Sequence, residues 1–159
     1  MSGKEPEMPK SHLIHVSSAI IMVSLLIIDS LLNITTWILE FIPWYINLAL
    51  CVFFLVFAML FILRSHKALF GGYFKSVSEP STLITDGIFA QVRHPMYVGI
   101  ILIHLSFVLL VGSLIGFGVW IAIIILYNWL ANYEEDYLDE LYGEQYQDYK
   151  KHARKWLPG

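Results

Sequence analysis

With a single cysteine, Cys51, the chain can form no intrachain disulfide, and no thiolate metal site is suggested. Charge is scarce too: Asp, Glu, Lys and Arg are 14% of 159 residues, and the net charge of -3 leaves no basic footprint for a nucleic acid partner. No Ala-x-Ala type cleavage pattern follows the first apolar stretch, which argues against a secretory signal there. What remains is apolar. At 57% hydrophobic and a mean hydropathy of +0.64, the chain is too oily for an ordinary soluble domain. Its length allows one compact unit, so residues 1–159 are expected to form a single all-α polytopic membrane domain.

Four spans are expected. Residues 1–12 are a polar tail, and Leu13 to Ile38 is mostly apolar and long enough to cross, since about 20 helical residues span the hydrocarbon. Asp29 and Asn33, one turn apart near its far end, either line a pocket or mark a helix end at the headgroups. Trp44 to Leu63 is a second, uncharged span, closed by Arg64 to Lys67, and the two spans fill residues 13–70, with Gly71-Gly72 as the stop just after them. Residues 71–94 form a polar loop with turn signals at Ser78, Pro80, Ser81 and Asp86-Gly87. Pro95 suits the first turn of the third span, which runs to Val111. Gly112-Ser113 makes a tight turn into a fourth span, so residues 95–133 are a helical hairpin. His104, mid-span, is expected to be hydrogen-bonded between helices.

All ten Lys and Arg residues fall before Leu13, between Arg64 and Arg93, or from Lys150 onward. Under the positive-inside rule both termini and the long loop face the cytoplasm. The fourth helix has no breaker before Gly143, so it carries Glu134 and Glu135 out of the membrane. An amphipathic piece from Glu144 to His152 follows, and then Arg154 to Pro158, suited to the headgroup layer.

The hairpin brings two polar clusters to its open end: Arg93-His94 before Pro95, and Glu134-Glu135 after Tyr133. Ionisable groups at a membrane edge normally face a partner or a wet cavity. Carboxylates beside Arg, His and aromatics suit a ligand with both cationic and anionic groups.

Arg93-His94-Pro95-x-Tyr97-x-Gly99, with Glu134-Glu135-x-x-Leu138 and Tyr142-Gly143-x-x-Tyr146-x-x-Tyr149, resembles the isoprenylcysteine carboxyl methyltransferase and phospholipid methyltransferase family over Gly87 to Pro158. The resemblance implies an integral membrane, S-adenosylmethionine-dependent methyltransferase acting on a lipophilic acceptor. It implies cofactor contacts from Val92, Arg93, His94, Tyr97, Glu134 and Glu135, with Arg93 and Glu135 acting in catalysis, in the C-terminal segment 134–159 and the residues before the hairpin. Members often carry an arginine about a turn before the Glu pair to hold an acceptor carboxylate. This chain has Trp129 and Leu130 there, with Asn128 and Asn132 as the nearest polar groups, and Arg154 supplies the cation if its tail folds back. A membrane reductase using NADPH is the second reading, disfavoured because acids at Glu134-Glu135 repel a phosphate. A non-catalytic membrane scaffold is the third.

Overall fold

A computed structural model describes residues 11–36, 40–70 and 83–157. Among the described residues five α-helices follow in order: α1 (Ser11–Leu32), α2 (Trp44–Phe70), α3 (Pro95–Val111), α4 (Leu114–Tyr142) and α5 (Glu144–His152), with a 3₁₀ turn at Gly87–Ala90 before α3. Helices α1, α2 and α4 are long and apolar enough to cross a membrane; α3, at 17 residues, is shorter. Its length of about 25 Å falls under the roughly 30 Å of a hydrocarbon core, so it meets the span expectation less fully than the others. Ser78, Pro80, Ser81, Gly71-Gly72, Pro158 and the first ten residues, for which the sequence sets expectations, lie outside the described residues.

Most elements start and stop where local chemistry says they should. Pro95 opens α3, Ser113 caps α4 by accepting the Gly116 N–H at 2.8 Å, and Gly143 ends α4 at a positive φ of 52°. Helix α2 runs past Leu63 to Phe70, taking Arg64 to Lys67 into its last turns. Helix α1 instead ends six residues before Ile38. Asn33 takes the left-handed conformation (φ 50°) and turns the chain.

That early stop serves a buried lock. Asp29, 1% exposed, accepts from the Thr35 backbone N–H at 2.7 Å, the Thr35 hydroxyl at 2.5 Å and the Ser113 hydroxyl. The Thr35 oxygen in turn accepts from the Leu114 and Ile115 N–H groups at 3.2 and 3.3 Å. One carboxylate therefore fastens the end of α1 to the α3–α4 turn, a role neither sequence reading of Asp29 contained. Asp29→Ala leaves these donors without their acceptor and is expected to cost about 2–3 kcal/mol. A thermal midpoint in detergent equal to the parent's would show that the lock carries no stability.

The core lies between α1, α3 and α4, where Met22, Leu26, Tyr97, Val108, Ile123, Tyr127, Leu130 and Ala131 are buried against one another. Helix α2 packs on α3 at Gly99, where an added Cβ would stand 3.1 Å from the Ala58 carbonyl. The two backbones touch there only because that side chain is missing. Leucine, isoleucine and phenylalanine side chains left exposed on α1 and α2 suit a lipid environment. His104 is buried, but its Nδ1 bonds the Ile100 carbonyl of its own helix at 2.8 Å rather than a neighbouring helix.

Candidate functional site

The clusters expected to meet do meet. Arg93 Nε donates to Glu135 Oε1 at 3.0 Å, and His94 Nε2 stands 3.0 Å from the same oxygen. His94 Nδ1 is 3.5 Å from Glu134 Oε2, and the Tyr97 hydroxyl donates to Glu134 Oε1. Consecutive helical residues diverge by about 100°, yet one imidazole serves both carboxylates because its two nitrogens point apart. The His94 ring stacks on Tyr97 (centroids 5.7 Å, planes 5° apart), which fixes it between them.

Burial of the His94 ring works against its charged form, but hydrogen bonds and charge from Glu134 and Glu135 outweigh it and hold its pKa above the ordinary histidine value. A raised folded-state pKa gives stability that is complete below about pH 6.5 and is lost as pH rises through the folded value. The thermal midpoint should therefore fall on going from pH 6.5 to alkaline pH, and the fall should flatten in His94→Gln. An unchanged slope in that variant would assign the effect elsewhere.

The tail after α5 completes the site. Ala153 to Trp156 runs beside Gln91 to His94, with a parallel bridge between Val92 and Arg154 and backbone bonds from Arg93 N to Arg154 O (2.8 Å), His94 N to Lys155 O (3.3 Å) and Arg154 N to Gln91 O (3.0 Å). Arg93 Nη1 donates to the Ala153 carbonyl at 2.6 Å. Trp156 packs near His94, with ring centroids 5.9 Å apart. Burial pushes the Tyr149 hydroxyl up to about 12, so it stays protonated and donates to the Phe89 carbonyl at 2.6 Å.

Beside this network lies a cavity of about 440 Å³. Arg93, His94, Tyr97 and Glu134 line it, with apolar walls from Leu69, Phe89, Met96, Ile100 and Leu138. Val92, wholly buried, and Glu135 do not line it; they hold the residues that do.

A family model described as phospholipid methyltransferase matches residues 45–145. The chain belongs to the phospholipid methyltransferase family. Relatives include a protein-S-isoprenylcysteine O-methyltransferase of Dictyostelium discoideum, 40% identical over 51% of this chain and 35% of that protein. Another of that name, from Schizosaccharomyces pombe, is 33% identical over 48% of this chain and 33% of its own length. An uncharacterized Haemophilus influenzae protein is 38% identical over 39% of this chain and 100% of its length. The chain thus aligns with about a third of the two methyltransferases, and no solved structure matches it.

Two features of this family member escaped the sequence reading. The tail does fold back, but Arg154 contributes backbone while the Lys155 ammonium donates to Asn132, three residues before Glu135. And α1, outside the matched span, brings His12 and His15 to the cavity. His15 Nδ1 stands 2.7 Å from the Tyr127 hydroxyl, and its ring stacks on Tyr127 at 5.4 Å and lies 5.8 Å from Tyr97. The histidines are three apart and share one helix face, the signal that was there to be read.

Proposed function

We propose that the protein is an integral membrane methyltransferase that takes its methyl group from S-adenosylmethionine and passes it to a lipophilic acceptor, a prenylcysteine-like carboxylate or a lipid headgroup. The observation that carries this is the cavity where Glu134, Tyr97, His94 and Arg93 converge beside apolar walls. That donor set fits the methyl donor: Glu134 suits its ammonium or ribose hydroxyls, Arg93 and His94 its carboxylate, and Leu69, Phe89 and Leu138 its adenine. When bound, S-adenosylmethionine would supply an activated methyl group on a sulfonium. The chain's own residues position, desolvate and hold. Glu135 we assign to holding, because it is bonded to Arg93 and His94, and Arg93 both holds Glu135 and the Ala153 carbonyl and lines the cavity. Val92 serves through its backbone pairing with Arg154.

The distribution of Lys and Arg supports a site facing the cytoplasm. Calorimetry of the purified protein in detergent, with S-adenosylmethionine and NADPH run side by side, tests the reading. Saturable binding of S-adenosylmethionine, weakened by Glu134→Gln, is expected. Binding of NADPH alone would turn the assignment to a reductase, and binding of neither by folded protein would favour a scaffold.

A further inference from the structure

The tail that completes the site carries two cations that the protein leaves without a counter-charge. Around it the other charges cancel in pairs: Arg93 and charged His94 against Glu135 and Glu134, Lys150 against Asp139 at 2.6 Å, and Lys151 against Asp148 at 3.3 Å. Among the described residues no carboxylate pairs with Arg154 or Lys155. The Arg154 guanidinium is exposed and donates to no acceptor among the described residues, since its residue pairs with Gln91 and Arg93 through backbone alone. The Lys155 ammonium meets the neutral Asn132 amide and the Trp156 ring, 5.7 Å away. Asp136, one turn beyond Asn132 on α4, is exposed and forms an ion pair with neither.

Their height along the helices decides what they meet. Helix α2 is uncharged as far as Leu63 and α4 as far as Tyr133, and α3 starts at Pro95. The bonds of the tail to Arg93, His94 and Asn132 hold it on that same plane, where hydrocarbon gives way to headgroups. Leu157, next along the tail, is 66% exposed, and Trp129, one turn before Asn132, is 54% exposed. Such side chains are unfavourable in water and at home in the upper acyl layer. An unpaired guanidinium on that plane, with apolar side chains beside it, is complementary to a phosphate whose tails lie in the bilayer.

We infer that the tail is a docking strap for an anionic phospholipid, with the Arg154 guanidinium on its phosphate, Lys155 adding to the local positive field and Leu157 set among the acyl chains. Neighbours in an extended pairing face opposite ways, so Arg154 and Lys155 do not clasp one phosphate between them. The strap acts on the site through its backbone. The Arg93 N–H donates to the Arg154 carbonyl at 2.8 Å, the His94 N–H to the Lys155 carbonyl at 3.3 Å, and Arg93 Nη1 to the Ala153 carbonyl at 2.6 Å. A lipid that binds the docked strap better than a loosened one therefore favours the arrangement of Arg93 and His94 at the cavity. The docking stands on the tail alone, whereas its effect on a methyl donor rests on the proposed function.

The test places the full chain in nanodiscs of phosphatidylcholine alone or of a mixture of phosphatidylcholine and phosphatidylglycerol. The chain has three arginines, Arg64, Arg93 and Arg154, so in ¹⁵N-arginine protein the side-chain signal missing from Arg154→Gln belongs to Arg154. That signal should move on going to the mixed lipid, and by more than the signal of Arg64, which lies on the same plane but on no strap. S-adenosylmethionine should bind about fivefold more tightly in the mixture, the worth of one basic side chain at an anionic surface. This gain should vanish in Arg154→Gln and survive in part in Arg154→Lys, which keeps the charge without the fork. Glutamine keeps the backbone pairs, so the variant's thermal midpoint in phosphatidylcholine should match the parent's, which shows that it folds. An Arg154 signal that moves no further than that of Arg64, the same movement produced by inorganic phosphate in phosphatidylcholine discs, or a gain in affinity that persists in Arg154→Gln would each overturn the inference. If the parent binds no S-adenosylmethionine in either lipid, the methyl-transfer reading falls, and the Arg154 signal still decides the docking.

Discussion

Lysine in place of Arg93 should keep the charge and release the tail. The guanidinium reaches Glu135 through Nε and the Ala153 carbonyl through Nη1, at 3.0 and 2.6 Å, two directions fixed by one rigid plane. An ammonium is a single point and cannot satisfy both. Each bond involves a charged group at a site where the Arg93 side chain is 13% exposed, so the expected loss is about 2–4 kcal/mol. Because the second bond is to the tail, the damage should be local as well as global. Trypsin should cut at Lys150, Lys151, Arg154 and Lys155 faster in Arg93→Lys than in the parent, with fragments ending there appearing before the helices are lost. S-adenosylmethionine binding should weaken with it, since His94 shares both Glu135 and the backbone pairing with the tail. Equal cleavage rates would mean that the tail is held without Arg93, by its backbone pairs, Tyr149 and the Lys155–Asn132 bond.

How much of this was legible in sequence depends on the range of the interaction involved. Pro95, Ser113 and Gly143 act within a turn of themselves, and the helix boundaries they set were read correctly. The meeting of Arg93 and His94 with Glu134 and Glu135 was legible because a short turn at Gly112 forces the two ends of a hairpin together. Asp29 was not, since its partner Ser113 lies 84 residues away and nothing local distinguishes a locking carboxylate from one at a helix end. His15 and Tyr127 are 112 residues apart, and α1 carries no motif to pair them. The β pairing of the returning tail is one bridge between Val92 and Arg154, too short to leave the alternating pattern by which strands are recognised. Nothing local to Trp156 therefore showed that its half-buried ring packs near His94.

The two adjacent glutamates should separate stability from binding. Glu135, 14% exposed, is the shared acceptor of Arg93 and His94. Glu135→Gln removes the charge that both cations were folded around, and breaking a buried pair from one side costs about 3 kcal/mol. It also takes from His94 one of the two carboxylates that favour its charged form, so the alkaline loss of stability should be smaller and complete at a lower pH. Glu134, 22% exposed, lines the cavity, and its protein partners are the Tyr97 hydroxyl and His94 Nδ1 at 3.5 Å. A glutamine there can still accept from Tyr97, so Glu134→Gln should cost only about 1 kcal/mol of stability. What it cannot do is meet a cationic group as a carboxylate does, and losing one charge-assisted bond to the donor should weaken S-adenosylmethionine binding at least about tenfold. Melting curves and calorimetry on the same two preparations decide the matter. If Glu134→Gln melts as early as Glu135→Gln, or binds as well as the parent, then the carboxylate facing the cavity is part of the scaffold, and the donor is held by another wall.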